Sequence, residues 1–524
     1  MRPGYLTLPA GQVHLRQAGS GSPVLLLHDA PGGAAGWDPK LIETIAGKRW
    51  VIAPDLIGFG GTTVADSAAG DLDAQADMLA AALALLGVRR TPVAAEGAGA
   101  AVAARLAERH PGLVRGILVL HVPYSGAERP PAPSPPDGSG GHVLRLYDEV
   151  RDSMIFSPWW RPTARNRRRR GLPSAEVLHA LFLDTDAHGD AHRWLASSAA
   201  EVWPGLAGSS EMVVAGDDWA ADILAMPEGD VAAEPARSEP GERGYVQVST
   251  GLVHVRRFGE RSSGRRPVLM LHANPGSGSG LEPLARALGE TRPTLVWDTP
   301  GHGRSTPLPD AVKDAPTLAG TYVPLLVEML DALGIETCDV YGTHTGAAMA
   351  VELAIAAPGR VGALVLDGMP LFDDQPELVA SVTENYFVDL TPDTHGSHLR
   401  RAWGASADMA LWWPWFNHTP EGIRDVDAYR PEFLHRVVLD MLRSAPHYHR
   451  YYRAAWQWPC TERLPLVKRP ALVGSTRTDP LAPMTPVALR LLREATETTF
   501  APLGAPGSPE ANAVMLARYL DGIG

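Results

Sequence analysis

Gly342-Thr343-His344-Thr345-Gly346 is the stretch on which any chemistry of this chain turns. It follows an apolar run, Cys338-Asp339-Val340-Tyr341, and leads into small residues, Ala347 to Val351. Strand, sharp turn and helix in that order form a nucleophile elbow, G-x-S-x-G. Glycines flank the exposed residue because the turn has no room for side chains. The middle position calls for Ser, Cys or Asp, and here it holds histidine. An imidazole titrates near neutrality, which suits it to take or give a proton. Asp367 ends the next apolar run, Ala363 to Leu366, and is a carboxylate that could orient such a ring. Backbone N–H groups would serve a developing oxyanion without any serine. They are expected at Thr345 and in the loop after His272, near Ala273.

The elements that must position these groups occur twice. Val24 to Gly32, with His28 and Pro31, matches Val268 to Gly276, with His272 and Pro275. Ala53 to Gly60 matches Val296 to Gly303, and Glu96 to Ala100 matches Thr343 to Ala347. Leu178-His179 through Asp184 matches Leu434-His435 through Asp440. A period of about half the chain means domain duplication, not a solenoid. Continuous apolar runs alternate with helical stretches, which predicts doubly wound, mostly parallel sheets buried on both faces. The polar stretch Pro227 to Arg243 reads as a linker.

Composition excludes several classes. The net charge of −12 argues against nucleic-acid binding, and two cysteines make neither a disulfide framework nor a zinc site. No metal spacing and no cofactor motif are expected. The start carries no apolar signal region and no run is long enough to span a bilayer, so a cytoplasmic protein without a membrane partner is expected.

On these motifs both halves resemble the α/β-hydrolase family. The His-x-x-Pro-Gly loops, the Asp298 to Ser305 loop and the elbow carry the likeness, which covers nearly the whole chain. The His-x-x-Pro form is similar to the epoxide hydrolase and haloalkane dehalogenase branch. The resemblance implies an α/β fold of two hydrolase-type domains, each with a helical lid. The first would span 1–226 with a lid at about 123–205, then a linker at 227–243. The second would span 244–524 with a lid at about 370–462.

Family triads run Ser, Asp or Glu, then His along the chain. Asp479 fits the acid position, after the run Pro470 to Ser475. The last loop, Phe500 to Glu510, holds no histidine. In the first half Gly97 takes the elbow position, and a residue without a side chain can neither attack nor move a proton. Asp217 and Asp218 follow the matching strand, with no further strand or helix evident before the linker. The first domain is therefore expected to be degenerate.

His344, Asp479 and Asp367 are the candidate catalytic residues. His272, Ala273, Thr343, Thr345, Trp413, Tyr451 and Tyr452 are the candidate substrate-binding residues. In the family the loop histidine usually supports its loop, which is the competing reading of His272, and His302 lies in a similar loop. Most of the 14 tryptophans fall in the two lids, which suits a roomy apolar or aromatic pocket, or equally the packing of lid helices. The run Arg161, Arg165 and Arg167 to Arg170 is a solvated face or, alternatively, a dock for an acyl carrier or a coenzyme A thioester.

The expected function is an atypical enzyme of small-molecule, specialised metabolism. It would carry out lyase, cyclase or isomerase chemistry at His344 on an apolar carbonyl-containing substrate. Two alternatives stay open. One is an inactive ligand-binding or structural pseudo-hydrolase. The other is a hydrolase of esters, thioesters or epoxides with an unconventional nucleophile such as Ser305. The first half would pair with the second, or the chain with a copy of itself.

Overall fold

The computed structural model describes every residue except 66–67, 169–170, 187, 208–211, 233–240, 261–263, 313–315, 503 and 524. Arg169, Arg170, residues 233–240 of the linker and Leu503 therefore lie outside the described residues. The chain forms two compact units, built mainly from Met1–Pro135 with Gly141–Gly241 and from Glu242–Thr391 with Ser397–Gly524.

The first sheet contains β1 (Arg2–Leu8), β2 (Gly11–Ala18), β3 (Pro23–Leu27), β4 (Trp50–Pro54), β5 (Val88–Glu96), β6 (Val114–His121) and β7 (Met212–Val214). The strands lie in the order β1-β2-β4-β3-β5-β6-β7, and a short β8 (Asp230–Val231) pairs antiparallel with β5. The second sheet contains β9 (Arg243–Val248), β10 (Gly251–Phe258), β11 (Val268–Leu271), β12 (Thr294–Trp297), β13 (Cys338–Thr343), β14 (Val361–Asp367), β15 (Ala471–Ser475) and β16 (Ala495–Thr499). Its order is β16-β15-β14-β13-β11-β12-β10-β9.

Six strands of the second sheet, β11 to β16, run parallel, and the hairpin β9–β10 closes one edge antiparallel. The apolar runs become these central strands because both faces are covered. Leu269, Leu271 and Val340 face one core with the helix Thr345–Ala356, and Met270, Tyr341 and Val365 face another with the helix Ser508–Ile523. The strand order reverses between β11 and β13. Ligands of open α/β sheets bind at the carboxyl ends of the strands at such a switch point, and the elbow lies there.

Helical segments between β14 and β15 run from Pro376 to Arg463, and those between β6 and β7 from Gly141 to Leu206. These are the lids. The first domain ends differently from the sequence expectation. A short helix, Trp219–Ala225, follows β7 and buries Ile223 against Ile42, Ile45 and Leu118. Asp218, which follows the strand where an acid would stand, caps that helix by accepting from the Ala221 amide. Apolar residues too few to show periodicity hid this helix from the sequence.

Candidate active site

The elbow is built by close approach. A Cβ on Gly346 would collide with the Leu271 carbonyl, so the helix can start against β11 only with glycine there. His344 takes φ 49° and ψ −114°, and no other described non-glycine residue has a positive φ. A side chain at that φ carries strain, and such strain clusters at functional sites. The His344 amide donates to the Asp367 carbonyl at 2.8 Å, which ties the turn to the end of β14.

The imidazole is held by Asp479. His344 Nε2 lies 2.7 Å from Asp479 Oδ2. An ionised carboxylate only accepts, so Nε2 carries the proton and the neutral ring keeps its lone pair on Nδ1. Asp479 Oδ1 in turn accepts from the Leu481 amide at 2.8 Å. The ring fits because residue 368 is glycine, whose Cβ would stand 2.5 Å from His344 Cδ2. Burial lowers the affinity of His344 for its proton, but the charge and hydrogen bond of Asp479 outweigh it and raise the pKa above 6.5. Burial raises Asp479, and the imidazole and the Leu481 amide outweigh that and lower it. The two shifts agree on one ion pair, open to the cavity, since the His344 side chain is 33% exposed.

Asp367 plays another part. Its carboxylate accepts from the Tyr341 hydroxyl at 2.7 Å, not from the imidazole. Burial pushes its pKa up to about 6, against the pull of Tyr341 and His344. Of the two carboxylates that the sequence offered to orient the ring, Asp479 is the one in contact.

The first domain shows which backbone amides converge at an elbow. There the Asp29 carboxylate oxygen Oδ1 accepts from Ala30 and Ala98, each at 2.8 Å. By position in the repeat the corresponding amides are Asn274 and Thr345, and neither has a hydrogen-bond partner among the described residues. Asn274 is a residue the sequence reading missed by one position, having placed this donor near Ala273. Its side chain is fixed by the Tyr448 carbonyl at 2.5 Å and by His302 Nε2 at 3.1 Å.

His272 stands behind this loop. Its Nδ1 donates to the Ala273 carbonyl at 2.8 Å and its Nε2 accepts from the Thr299 amide at 3.1 Å. Burial lowers its pKa, so both nitrogens of a neutral ring are spent on the scaffold. His28 makes the same two bonds in the first domain. Placing His272 at the substrate is thus corrected, because the ring has no free polar edge. Tyr451 is also displaced from the cavity: it is fully buried against His272, His302 and Tyr322. Ser305 accepts from the His254 amide and donates to the Asp298 carbonyl, which leaves it in the loop scaffold. Thr343 is buried beneath the elbow.

The cavity over His344 and Thr345 is bounded by Trp413 and Tyr452, as the sequence suggested, and by Phe372 and Trp456, which it did not single out. It measures about 20 Å³. Phe372 and Trp456 stack at 3.9 Å, and Trp413 lies nearly parallel to Trp456 at 6.2 Å. This gives one wall of three flat rings. Tyr452 donates to Tyr386 at 3.0 Å. Among the described residues no group of His, Cys, Asp and Glu has the makings of a metal site. None of the described helices is long and apolar enough to cross a membrane.

A family model described as the alpha/beta hydrolase fold matches residues 22–145 and 266–409. The chain belongs to the alpha/beta hydrolase fold family, in a tandem arrangement with two matched regions. Its relatives include several hydrolases. One is a 2-hydroxy-6-oxononadienedioate/2-hydroxy-6-oxononatrienedioate hydrolase of Cupriavidus pinatubonensis, 34% identical over 141 residues, which are 25% of this chain and 46% of that protein. Another is a 2-hydroxymuconate semialdehyde hydrolase of a Pseudomonas species, 28% identical over 111 residues, 21% of this chain and 39% of that protein. The chain thus spans less than half the length of these two curated relatives. Among solved structures, epoxide hydrolase A of Mycobacterium thermoresistibile aligns with 53% of this chain and 98% of its own, at 19% identity and a TM-score of 0.42.

Proposed function

We propose that the second domain is an acid/base enzyme in which His344 replaces both missing members of a serine triad. The observation that carries this is the contact of His344 Nε2 with Asp479 at an elbow. The acid keeps its usual loop, while the histidine has moved from the last loop to the elbow itself. No histidine follows His449 in the chain.

His344 Nδ1 takes a proton from a carbon beside the substrate carbonyl. The carbonyl oxygen becomes an enolate and is received by the Asn274 and Thr345 amides, donors that cost no reorganisation. Asp479 stabilises the imidazolium, and the wall of Phe372, Trp456 and Trp413 sets a flat apolar body against it. The imidazolium then returns the proton to another carbon, which is isomerisation. In the other course the enolate electrons expel a leaving group that takes the proton, which is elimination. The relatives' names support a carbonyl substrate, since those proteins act on unsaturated hydroxy-oxo acids and semialdehydes.

Those names also favour a second reading, in which the same Nδ1 draws a proton from water for hydrolysis. The test is turnover of candidate carbonyl substrates by the parent, His344→Ala and His344→Ser, with fluorophosphonate labelling alongside. The proposal expects turnover in the parent, loss in both variants and no labelling. Undiminished turnover in both variants would refute it, and hydrolysis products would decide for the second reading.

A further inference from the structure

The elbow of the first domain is already filled. A Cβ on Gly97 would collide with the Asp29 carboxylate, so that carboxylate lies where an elbow side chain would begin. One of its oxygens bridges the Ala30 and Ala98 amides, and the other accepts from Arg168 Nη2 at 2.6 Å. Arg168 comes from the lid, directly after the residue that bridges to Phe156, and only 9% of it is exposed. At the matching position of the second domain, after the bridge between Trp412 and Ile423, Arg424 donates instead to the Met409 and Thr478 carbonyls. The first lid therefore sends its arginine to a carboxylate in the amide pair, and the second does not.

A carboxylate with one oxygen between two converging amides and the other on a buried guanidinium is held as a bound ligand would be. The site offers more donors than Asp29 uses. Arg168 Nε and Nη1, Trp159 Nε1 and Trp160 Nε1 have no hydrogen-bond partner among the described residues, and these side chains border the same cavity. Arg168 Nη1 lies 3.8 Å from a Glu96 carboxylate oxygen. The cavity beside Asp29 measures about 30 Å³, and the Asp29 carboxylate itself takes the amide pair.

We propose that the elbow pocket of the first domain is a carboxylate-binding site whose resident ligand is the chain's own Asp29, clamped by the lid residue Arg168. Without that side chain the pocket takes up a small free carboxylate. The claim stands apart from the chemistry at His344.

The test is thermal unfolding of the full chain with Asp29→Ala, titrated with sodium formate and sodium acetate against chloride at equal ionic strength. In chloride the variant is expected to melt below the parent. Formate or acetate raises its Tm saturably, by roughly 5–10 °C at about a hundredfold excess over Kd, because a ligand bound only to the folded state stabilises it by mass action. The parent gains nothing beyond chloride, and neither does Asp29→Ala combined with Arg168→Ala. No gain over chloride in the single variant, or an equal gain without Arg168, overturns the proposal. If Asp29→Ala does not stay folded in chloride, it is prepared in acetate and dialysed. Folding in acetate that is lost in chloride supports the site, and failure in both overturns it.

Discussion

The two elbows share one backbone and carry opposite contents. Gly97 and His344 both sit at φ 49°, with ψ −123° and −114°. In the first domain glycine removes the strain, and the vacated space goes to an internal ion pair, Asp29 with Arg168. In the second domain a β-carbon is kept at the strained φ and bears an imidazole paired to Asp479. Backbone strain of this kind costs about 1–3 kcal/mol and persists where the surroundings enforce it. Ala273 stands where Asp29 stands, so the second amide pair has no resident carboxylate. An alanine-to-aspartate exchange in the loop, with the loss of one elbow side chain, thus sets a carboxylate on an amide pair that is otherwise unpartnered among the described residues.

That comparison breaks or holds most sharply on Ala273→Asp. By the geometry of the first domain, a carboxylate under the Asn274 and Thr345 amides would stand where the β-carbon of His344 stands, so the graft must push His344 aside to reach them. Loss of one oxyanion donor costs about 10²–10³ in kcat, and occupying both should cost more. Turnover should vanish and the melting temperature should fall with the collision, whereas His344→Gly in the same chain should restore the melting temperature but not turnover. Retained turnover would mean that the second pair of amides does not receive the substrate oxygen.

His344→Ala ranks next. Removal of a positioned general base should lower kcat by about 10²–10⁴-fold, with little change in ligand binding. Single-turnover rates beside equilibrium binding measure this. A loss confined to KM would make His344 a binding group only.

Arg168→Ala tests the first domain. It leaves the Asp29 carboxylate without its cation, and such removal costs about 3–5 kcal/mol for a buried pair. Denaturant unfolding should show this in a first-domain transition, with turnover at His344 intact. A neutral change would mean that the pair contributes nothing to closing the first lid.

Much of this contrast was legible in the sequence, and the rest was not for physical reasons. The duplicated loops and alternating apolar runs place both sheets, because parallel strands buried on two faces leave continuous apolar text. The elbow and the acid strand likewise put His344 and Asp479 within reach of one another. The choice of Asp479 over Asp367 needed three dimensions, since Asp367 ends the strand next to the elbow strand while Asp479 lies in the loop after the strand beyond it. Tyr341, 26 residues before Asp367, settles it by taking that carboxylate. Asp29 reads as a loop substitution, and only the fold brings the Arg168 side chain, far along the chain, onto it. His272 and Tyr451 looked like pocket residues because their types suit one. The loop uses both nitrogens of the first, and the core encloses the second.

The pH profile sharpens the comparison further. The base form of His344 must be neutral, so kcat/KM should rise with pH through an apparent pKa above 6.5. Asp479 raises that pKa by favouring the imidazolium, while burial alone would lower it. Asp479→Asn should therefore move the limb to lower pH and also reduce the plateau, because the amide no longer fixes the proton on Nε2. The same sign governs stability. The raised His344 pKa contributes stability below 6.5 that fades as pH rises through its folded value, and the lowered Asp479 pKa contributes stability that is lost in acid. A limb that stays in place in Asp479→Asn would sever the imidazole from Asp479 in function.

The smallest expected effect isolates the backbone. His344→Gly and His344→Ala both lose the imidazole and its pairing with Asp479. Alanine keeps a β-carbon at φ 49°, whereas glycine reproduces the elbow of the first domain. Relief of strain favours glycine by about 1–3 kcal/mol, and the greater freedom of glycine in the unfolded chain opposes it by about 0.5–1 kcal/mol. His344→Gly should therefore be the more stable of the two by about 1 kcal/mol, read as a higher urea midpoint at equal slope. The reverse order would show that the second elbow holds its side chain without strain, and that the first domain gained nothing in its backbone by adopting glycine.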